Sequence, residues 1–507
     1  MDKLNRGQNS STPESYQYET SLATIRRVKG DWDTALSSAV RLLCEQIIHF
    51  SEEEEADFQS QAFDYETEVL HKDELRELLH ASQHVKKRLE VSEPGFSLKG
   101  TQPVRIYPSL IQTLYCVALC EQVRDDANLG FVQKVLEKLH NIFCRKLGEK
   151  HRLTVKVEFD LAVNHRLSGD FERSLQMIKA VMYERRENLK TDHPDYLLAR
   201  HQYAVTLFGS GFWRQALTEQ AATLKAQEFL LGTDHADTTI SRYTLAIIYH
   251  SLNQNIEANS LIEQVIEEQR QRYRTWGGPN RDHSIVVHSR ARHALILLEL
   301  GKFTEAESEQ LRVYRWRCDH FGEHHNLTRS ARNDLAQINQ ALIRHGTARD
   351  MYIKLLNSFD LDKNVQLKDK SENPLKVLVL SNLASCYFEM GDYKAAEEIQ
   401  DRLLQRQSKN DERVIAATFN LALTRKMLGH MRNEGPKLGA FELLQIAIKR
   451  TEKLGPEHPQ AAELQATLQA WRREADPQYD WVLDLPSQRN QQGEMYNSNI
   501  QYSRQEI

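Results

Sequence analysis

The sequence is short of the residues that break helices. Glycine occurs 21 times and proline 12 times in 507 residues, below the ~7% and ~5% usual in globular chains. A sandwich or barrel needs turn residues roughly every ten positions. This chain lacks them, and helix is the expected state. Cysteine is scarce too: six residues (Cys44, Cys116, Cys120, Cys144, Cys318 and Cys386) lie too far apart for a disulfide framework. Charge of one sign is nearly absent. With 66 basic and 71 acidic residues the net charge is −5, so no global positive field holds a phosphate backbone and nucleic acid is a disfavoured partner. No run of about 18 apolar residues occurs, which excludes a membrane-spanning helix. Residues 1–20 carry no apolar segment of secretory type. A reduced, soluble, cytoplasmic protein is expected.

Reactive motifs are missing in the same way. No phosphate loop exists, since Gly301-Lys302 is followed by Phe303. Gly209-Ser210-Gly211 lacks the third glycine of a dinucleotide fingerprint, and neither H-E-x-x-H nor paired C-x-x-C motifs occur. No catalytic residue, cofactor or metal ligand is expected.

What is present is a repeat. A Leu-Ala pair is followed by a glycine seven residues later, then an aromatic, then alanine. Copies begin at Leu22-Ala23, Leu161-Ala162, Tyr203-Ala204, Leu245-Ala246, His293-Ala294, Leu335-Ala336, Leu383-Ala384 and Leu421-Ala422. Asn253 and Ile343 stand where the fourth and sixth copies need glycine. A second marker, His151, His193, His235, His283, His325 and His458, recurs between copies, at first in steps of 42, 42, 48 and 42. Each unit reads as helix, tight turn, helix. The glycine suits a left-handed residue after the first helix, and the alanine lets the second helix approach. A lone unit cannot bury its apolar face, whereas stacked units form one continuous core. Columnar histidines on layers roughly 10 Å apart cannot share a metal ion; satisfying backbone groups at the next helix start is their expected role.

The period, with linkers Leu147-Gly148 to His151, Leu231-Gly232 to His235, Phe321-Gly322 to His325 and Leu454-Gly455 to His458, resembles the tetratricopeptide repeat in its kinesin-light-chain-like variety. Similar repeats follow nucleotide-switch modules in fungal and bacterial signalling proteins. The resemblance covers 105–470 and extends to 18–50. It implies an all-α, right-handed superhelical solenoid of about eight to nine helix pairs, with first helices lining a concave groove. The expected division is a polar tail at 1–15, an N-terminal helical region with one repeat-like unit at 16–104, the solenoid at 105–475, and a disordered tail at 476–507.

The chain departs from the family pattern in one column. Two residues before the family's Asn-Leu-Ala triplet, where an apolar residue is usual, stand Arg200, Arg242, Arg290 and Arg332. The triplet's asparagine survives at Asn382 and Asn420, and is replaced by Gln202, Thr244, Arg292 and Asp334. A ladder of guanidinium groups flanked by these polar side chains suits a protein or peptide with acidic residues. Equally, the arginine stems can pack between helices while the charges pair with nearby carboxylates. The expected function is a non-catalytic scaffold or adaptor that binds a protein segment in its groove, with charge reversal at Arg242 and Arg290 weakening binding but not melting. A regulatory subunit of a separate nucleotide-binding signalling ATPase is the alternative. An enzyme of unrecognised type is a third reading, without a readable constellation to support it.

Other features are assigned more ordinary roles. Residues 269–281 concentrate Arg270, Arg272, Arg274 and Arg281 with Tyr273 and Trp276, and read as a basic helix end. Ser51 and Glu54 form a capping-box pattern for a helix over 53–70, followed by another over 73–91. The apolar island around Trp481 reads first as a cap on the last helix, near Trp471, and second as a self-inhibitory segment that folds back into the groove. The partner, the oligomeric state and the role of 52–104 are left open by the sequence.

Overall fold

In a computed structural model of the chain, the described residues are 38–43, 69–71, 103–105, 108–122, 127–273, 283–360, 373–406, 413–431, 438–454 and 459–475. They divide into two compact units, Met1–Ala226 and Gln227–Ile507. The first contains a helical segment at 38–43, strands β1 (Val69–His71) and β2 (Pro103–Arg105), and helices α1 (Pro108–Gln122), α2 (Leu129–Leu147), α3 (Arg152–Leu167), α4 (Phe171–Leu189) and α5 (Pro194–Gly209). The division falls within α6 (Trp213–Leu230). The second unit continues with α7 (Ala236–Ser251), α8 (Asn255–Tyr273), α9 (Ser284–Glu299), α10 (Phe303–Phe321), α11 (Asn326–Ala341), α12 (His345–Asp360), α13 (Pro374–Glu389), α14 (Tyr393–Arg406), α15 (Arg413–Met427), α16 (Ala440–Leu454) and α17 (Pro459–Ala475).

Among the described residues the fold is all-α, apart from one small ladder. Each helix packs on the next, from α1 to α5 in the first unit and from α7 to α17 in the second. Like helices also touch: α3 meets α5, and α7, α9, α11, α13 and α15 meet in succession. These are the first helices of their pairs. Their closer spacing puts them on the inner side of each unit. The ladder corrects one expectation, because residues 69 and 70 belong to strand β1 rather than to the end of a helix. Val69 pairs with Arg105, Leu70 with Val104 and His71 with Pro103, antiparallel; β-branched Val69 and Val104 suit such a surface. The remainder of 52–102, residues 1–15, the insertion at 274–282, His458 and the segment around Trp481 lie outside the described residues.

The histidine marker has a local cause. His151, His193, His235, His283 and His325 are each the N-cap of a first helix, in extended backbone. In each, Nδ1 accepts the N–H two residues on, at 3.3, 3.1, 3.2, 3.3 and 3.2 Å respectively. Such a bond satisfies one of the orphan donors at a helix start, worth ~1 kcal/mol. Asn373 takes the same role for α13, accepting from Leu375 N–H at 2.9 Å. At two linkers a threonine closes the turn as well: Thr154 and Thr238 donate to Gly148 O and Gly232 O, both at 2.8 Å. The preceding helix end stacks on the cap, with the Tyr273 ring 4.4 Å from His283 and the Phe321 ring 4.7 Å from His325.

The turn after each first helix needs a left-handed residue. Gly169 and Gly211 supply it at φ 84° and 86°; Asn253 and Ile343 hold the same conformation at 58° and 60°. Asparagine tolerates this region, whereas a β-branched residue is strained there by ~1–2 kcal/mol. The cores are chains of small clusters, as stacked repeats require. Val155, Phe159, Ala162, Ile178, Val181 and Ala199 join α3, α4 and α5. Ala246, Ala258, Ile262, Ile266, Val286 and Ile296 join α7, α8 and α9. Each buried Ile or Val contributes ~1.5–3 kcal/mol.

Candidate functional site

The arginine column lies on first helices, and every member meets an acceptor from its own unit. In the first unit Arg200 of α5 donates through Nε to Glu219 Oε2 of α6 at 2.9 Å, with 26% of its side chain exposed. In the second, Arg242 of α7 is 4% exposed and held between two carboxylates, Glu228 at 2.7 Å and Glu268 of α8. Thr239 donates to the other oxygen of Glu268 at 2.9 Å, fixing that carboxylate. Arg290 of α9 is buried and donates to Glu309 Oε2 of α10 at 2.5 Å. Arg332 of α11 keeps 24% exposure; it donates to the Tyr314 hydroxyl at 2.8 Å, lies over that ring, and is 3.9 Å from exposed Glu323.

These carboxylates are the part that sequence reasoning missed. Glu219 and Glu309 each follow their arginine by nineteen residues, one helix hairpin onward, so the pairing had a readable spacing. Arg242 and Arg332 break the spacing and find other partners. Arg242 and Arg290 are thus internal ion pairs. Removing one partner strands a buried charge, at a cost of ~3–5 kcal/mol, so charge reversal at these two positions strikes the fold itself.

The flanking polar residues fall into different settings. Gln202 of α5 is half-buried, and its Oε1 is enclosed without a hydrogen-bond partner among the described residues. Thr244 is buried and donates to Ile240 O at 3.1 Å, its own helix. Arg292 is buried beside Tyr243, whose hydroxyl is pushed up by burial, with Arg292 opposing. Asp334 receives Gln310 Nε2 at 3.2 Å and Asn333 Nδ2 at 3.4 Å. Burial raises its carboxyl above the ordinary range, against the pull of Arg317. Asn382 of α13 donates to Asn333 Oδ1 of α11 at 2.9 Å, tying two first helices together. Asn420 is buried in α15, and its carbonyl accepts from Thr424 at 2.9 Å. Within the second unit these polar residues stand on the first helices α7, α9, α11, α13 and α15, while Gln202 stands on α5 of the first unit.

Buried histidines line the same helices. His201 (α5) and His250 (α7) are both brought down to about 4, and His288 (α9) to about 3, burial being the largest cause in each. Gln220 and Asn255 oppose it at His201 and His250 respectively. All three are neutral near pH 7. Among the described residues no group of three or more His, Cys, Asp or Glu side chains could hold a metal ion, and no helix is long and apolar enough to cross a membrane. Cys116 and Cys120 are buried in the core of the first unit.

Tetratricopeptide-repeat family models match residues 184–271 and 379–410. These two segments carry tetratricopeptide repeats. The chain's structural neighbours include kinesin-light-chain-like repeat proteins from fungi and bacteria. One is a putative kinesin light chain from Podospora anserina with nearly identical TPR-like repeats, at 20% identity and TM-score 0.37 over 42% of this chain and 98% of that one. BtubC (BKLC) from P. vanneervenii is 14% identical, with TM-score 0.30 over 58% and 99%. The apo quorum sensor NprR from B. thuringiensis is 12% identical, with TM-score 0.44 over 75% and 97%. No curated protein matches the chain.

Proposed function

We propose that the chain is a non-catalytic scaffold or adaptor that holds a segment of another protein against its first helices. The observation that carries this reading is the contrast within the arginine column. Arg242 and Arg290 are buried in ion pairs, whereas Arg200 and Arg332 leave about a quarter of their side chains exposed on the inner helices. Their carboxylate partners are accessible: Glu219 is 32% exposed and Glu323 64%. Exposed pairs of this kind are worth at most ~1 kcal/mol, so an acidic residue of a partner can replace the glutamate at little cost. Recognition by exchange of ion pairs gives salt-sensitive binding without a strongly positive groove.

The test uses these two exposed positions. Arg200→Glu and Arg332→Glu are made separately in the full chain, and proteins captured from a lysate are quantified against wild type at matched melting temperature. At least tenfold loss of one partner in either variant is expected. Unchanged capture by both variants, with the fold intact, rejects binding on these helices. A captured partner that proves to be a nucleotide-binding ATPase assigns the scaffold to that signalling class.

A further inference from the structure

The turns that join first helices to second helices line one edge of the second unit. Three of them are tied side by side. Arg344, in the α11–α12 turn, donates to Glu307 of α10 at 2.7 Å. On its other side Gln340 donates to Glu389, the last residue of α13, at 2.7 Å, and His345 is 3.4 Å from the same carboxylate. The three turns read Leu300-Gly301-Lys302, Leu342-Ile343-Arg344 and Met390-Gly391-Asp392.

Two residues on this edge work against the fold. Ile343 takes the left-handed place that Gly301 and Gly391 fill in the neighbouring turns, at φ 60°, and is 79% exposed. So exposed a side chain buries little to offset its strain. Lys302 is the N-cap of α10 and makes no side-chain capping bond; its charge sits at the positive end of the helix dipole. The equivalent Asp392 caps α14, accepting Ala395 N–H at 3.2 Å. Apolar exposure continues along the edge. Met390 is exposed, and beside the turns two places away on either side stand Ile256 and Met427, 76% and 52% exposed. Strained residues and a run of exposed apolar ones mark a contact surface.

The pattern is complementary to itself. Lys302 and Asp392 are both exposed and hold the same place in their turns, one turn before and one turn after Ile343. A two-fold axis crossing the edge at the α11–α12 turn sets Lys302 of one copy against Asp392 of the other, twice, and Ile343 against Ile343. The same operation brings Met390 to half-buried Leu300, and Ile256 to Met427. Arg344, which meets its own copy, is already neutralised by Glu307. Opposite charges placed symmetrically about one apolar residue fit a second copy of the same edge.

We infer that this edge of the second unit is a homodimer interface, in which two copies pack antiparallel through Ile343 with reciprocal Lys302–Asp392 pairs. The interface uses none of the arginine column and is independent of the scaffold reading.

Sedimentation equilibrium of the full chain tests it without any other protein. Wild type is expected to pass from monomer to dimer with a dissociation constant on the order of 10 μM, as suits a small edge contact. Each substitution enters the dimer twice, so Ile343→Gly is expected to weaken it about tenfold or more, and Lys302→Glu comparably. Neither endangers the fold, since the first relieves strain and the second suits the helix dipole; below micromolar concentration, where wild type is dissociated, both are expected to unfold no earlier than wild type. Adding Asp392→Lys to Lys302→Glu reverses both members of the pair and is expected to bring the dimer back to within about threefold of wild type. Cysteine cross-linking reads the axis separately. Ile343→Cys and Ile256→Cys alter similarly exposed positions, but only the first faces itself, and it is expected to form an intermolecular disulfide about tenfold faster. A wild type that stays monomeric to about 200 μM, a dimer indifferent to Ile343→Gly or to Lys302→Glu, a folded double reversal that fails to dimerise, or equal cross-linking of the two cysteine variants overturns the inference. If the double reversal does not fold, the cross-linking rates decide.

Discussion

Arg242 offers the sharpest energetic prediction. Its guanidinium is 4% exposed and lies between Glu228 and Glu268, with Thr239 holding the second of these. Arg242→Leu leaves two carboxylates facing an apolar side chain. Glu228 is 37% exposed and recovers much of its hydration, but Glu268 is only 21% exposed and does not. The expected loss is ~3–5 kcal/mol, set by the stranded charge rather than by the pair's own attraction. Repeat arrays unfold in segments, so hydrogen exchange is the suitable assay. Amides of α7 and α8 should lose protection by a factor of a few hundred or more, since ~1.4 kcal/mol is tenfold. Adding Glu268→Leu removes the buried carboxylate and should restore at least half of the loss. Wild-type protection in Arg242→Leu would show that the pair is not an internal strut, and the separation of buried from available arginines would fall with it.

Acid gives a second expectation. His201 and His250 are held at about 4 and His288 at about 3, against ~6.5 in an unfolded chain. Their folded values are depressed, so the stability they confer is present above pH 6.5 and drains away as the pH falls towards 4. By pH 5 each accounts for ~2 kcal/mol; a melting temperature that is level between pH 7 and 5 contradicts this. Ile343→Gly should stabilise the second unit by ~1 kcal/mol, because φ is 60° and the side chain is 79% exposed; denaturant midpoints decide it, and a lower midpoint counts against strain. Gly209→Ala should destabilise the first unit by ~1–3 kcal/mol, since its methyl overlaps the Phe171 ring. Pairing it with Phe171→Leu should recover most of that, and no recovery would mean that the clash lies elsewhere.

The repeat was legible because each copy must solve the same local problem. A left-handed turn selects Gly169 and Gly211, and an orphaned helix start selects His151 and its successors. Both constraints act within a few residues and leave a mark at fixed spacing. The ends of long-range pairing left no such mark: nothing in the periodicity near Val69 announces its partner Arg105. The arginine column was visible as a column, but not its setting. Whether a guanidinium serves a ligand or a glutamate depends on burial, and burial depends on how neighbouring hairpins stack. Only the shared offset of Glu219 and Glu309 from their arginines carried that information.

The most direct test of the scaffold reading is hydrogen exchange of the full chain with and without its captured partner. Binding against the inner helices predicts slowed exchange in α3 and α5, or in α9 and α11, with α4, α8 and α10 unchanged. Slowing confined to the second helices would place the partner on the opposite face and contradict the account.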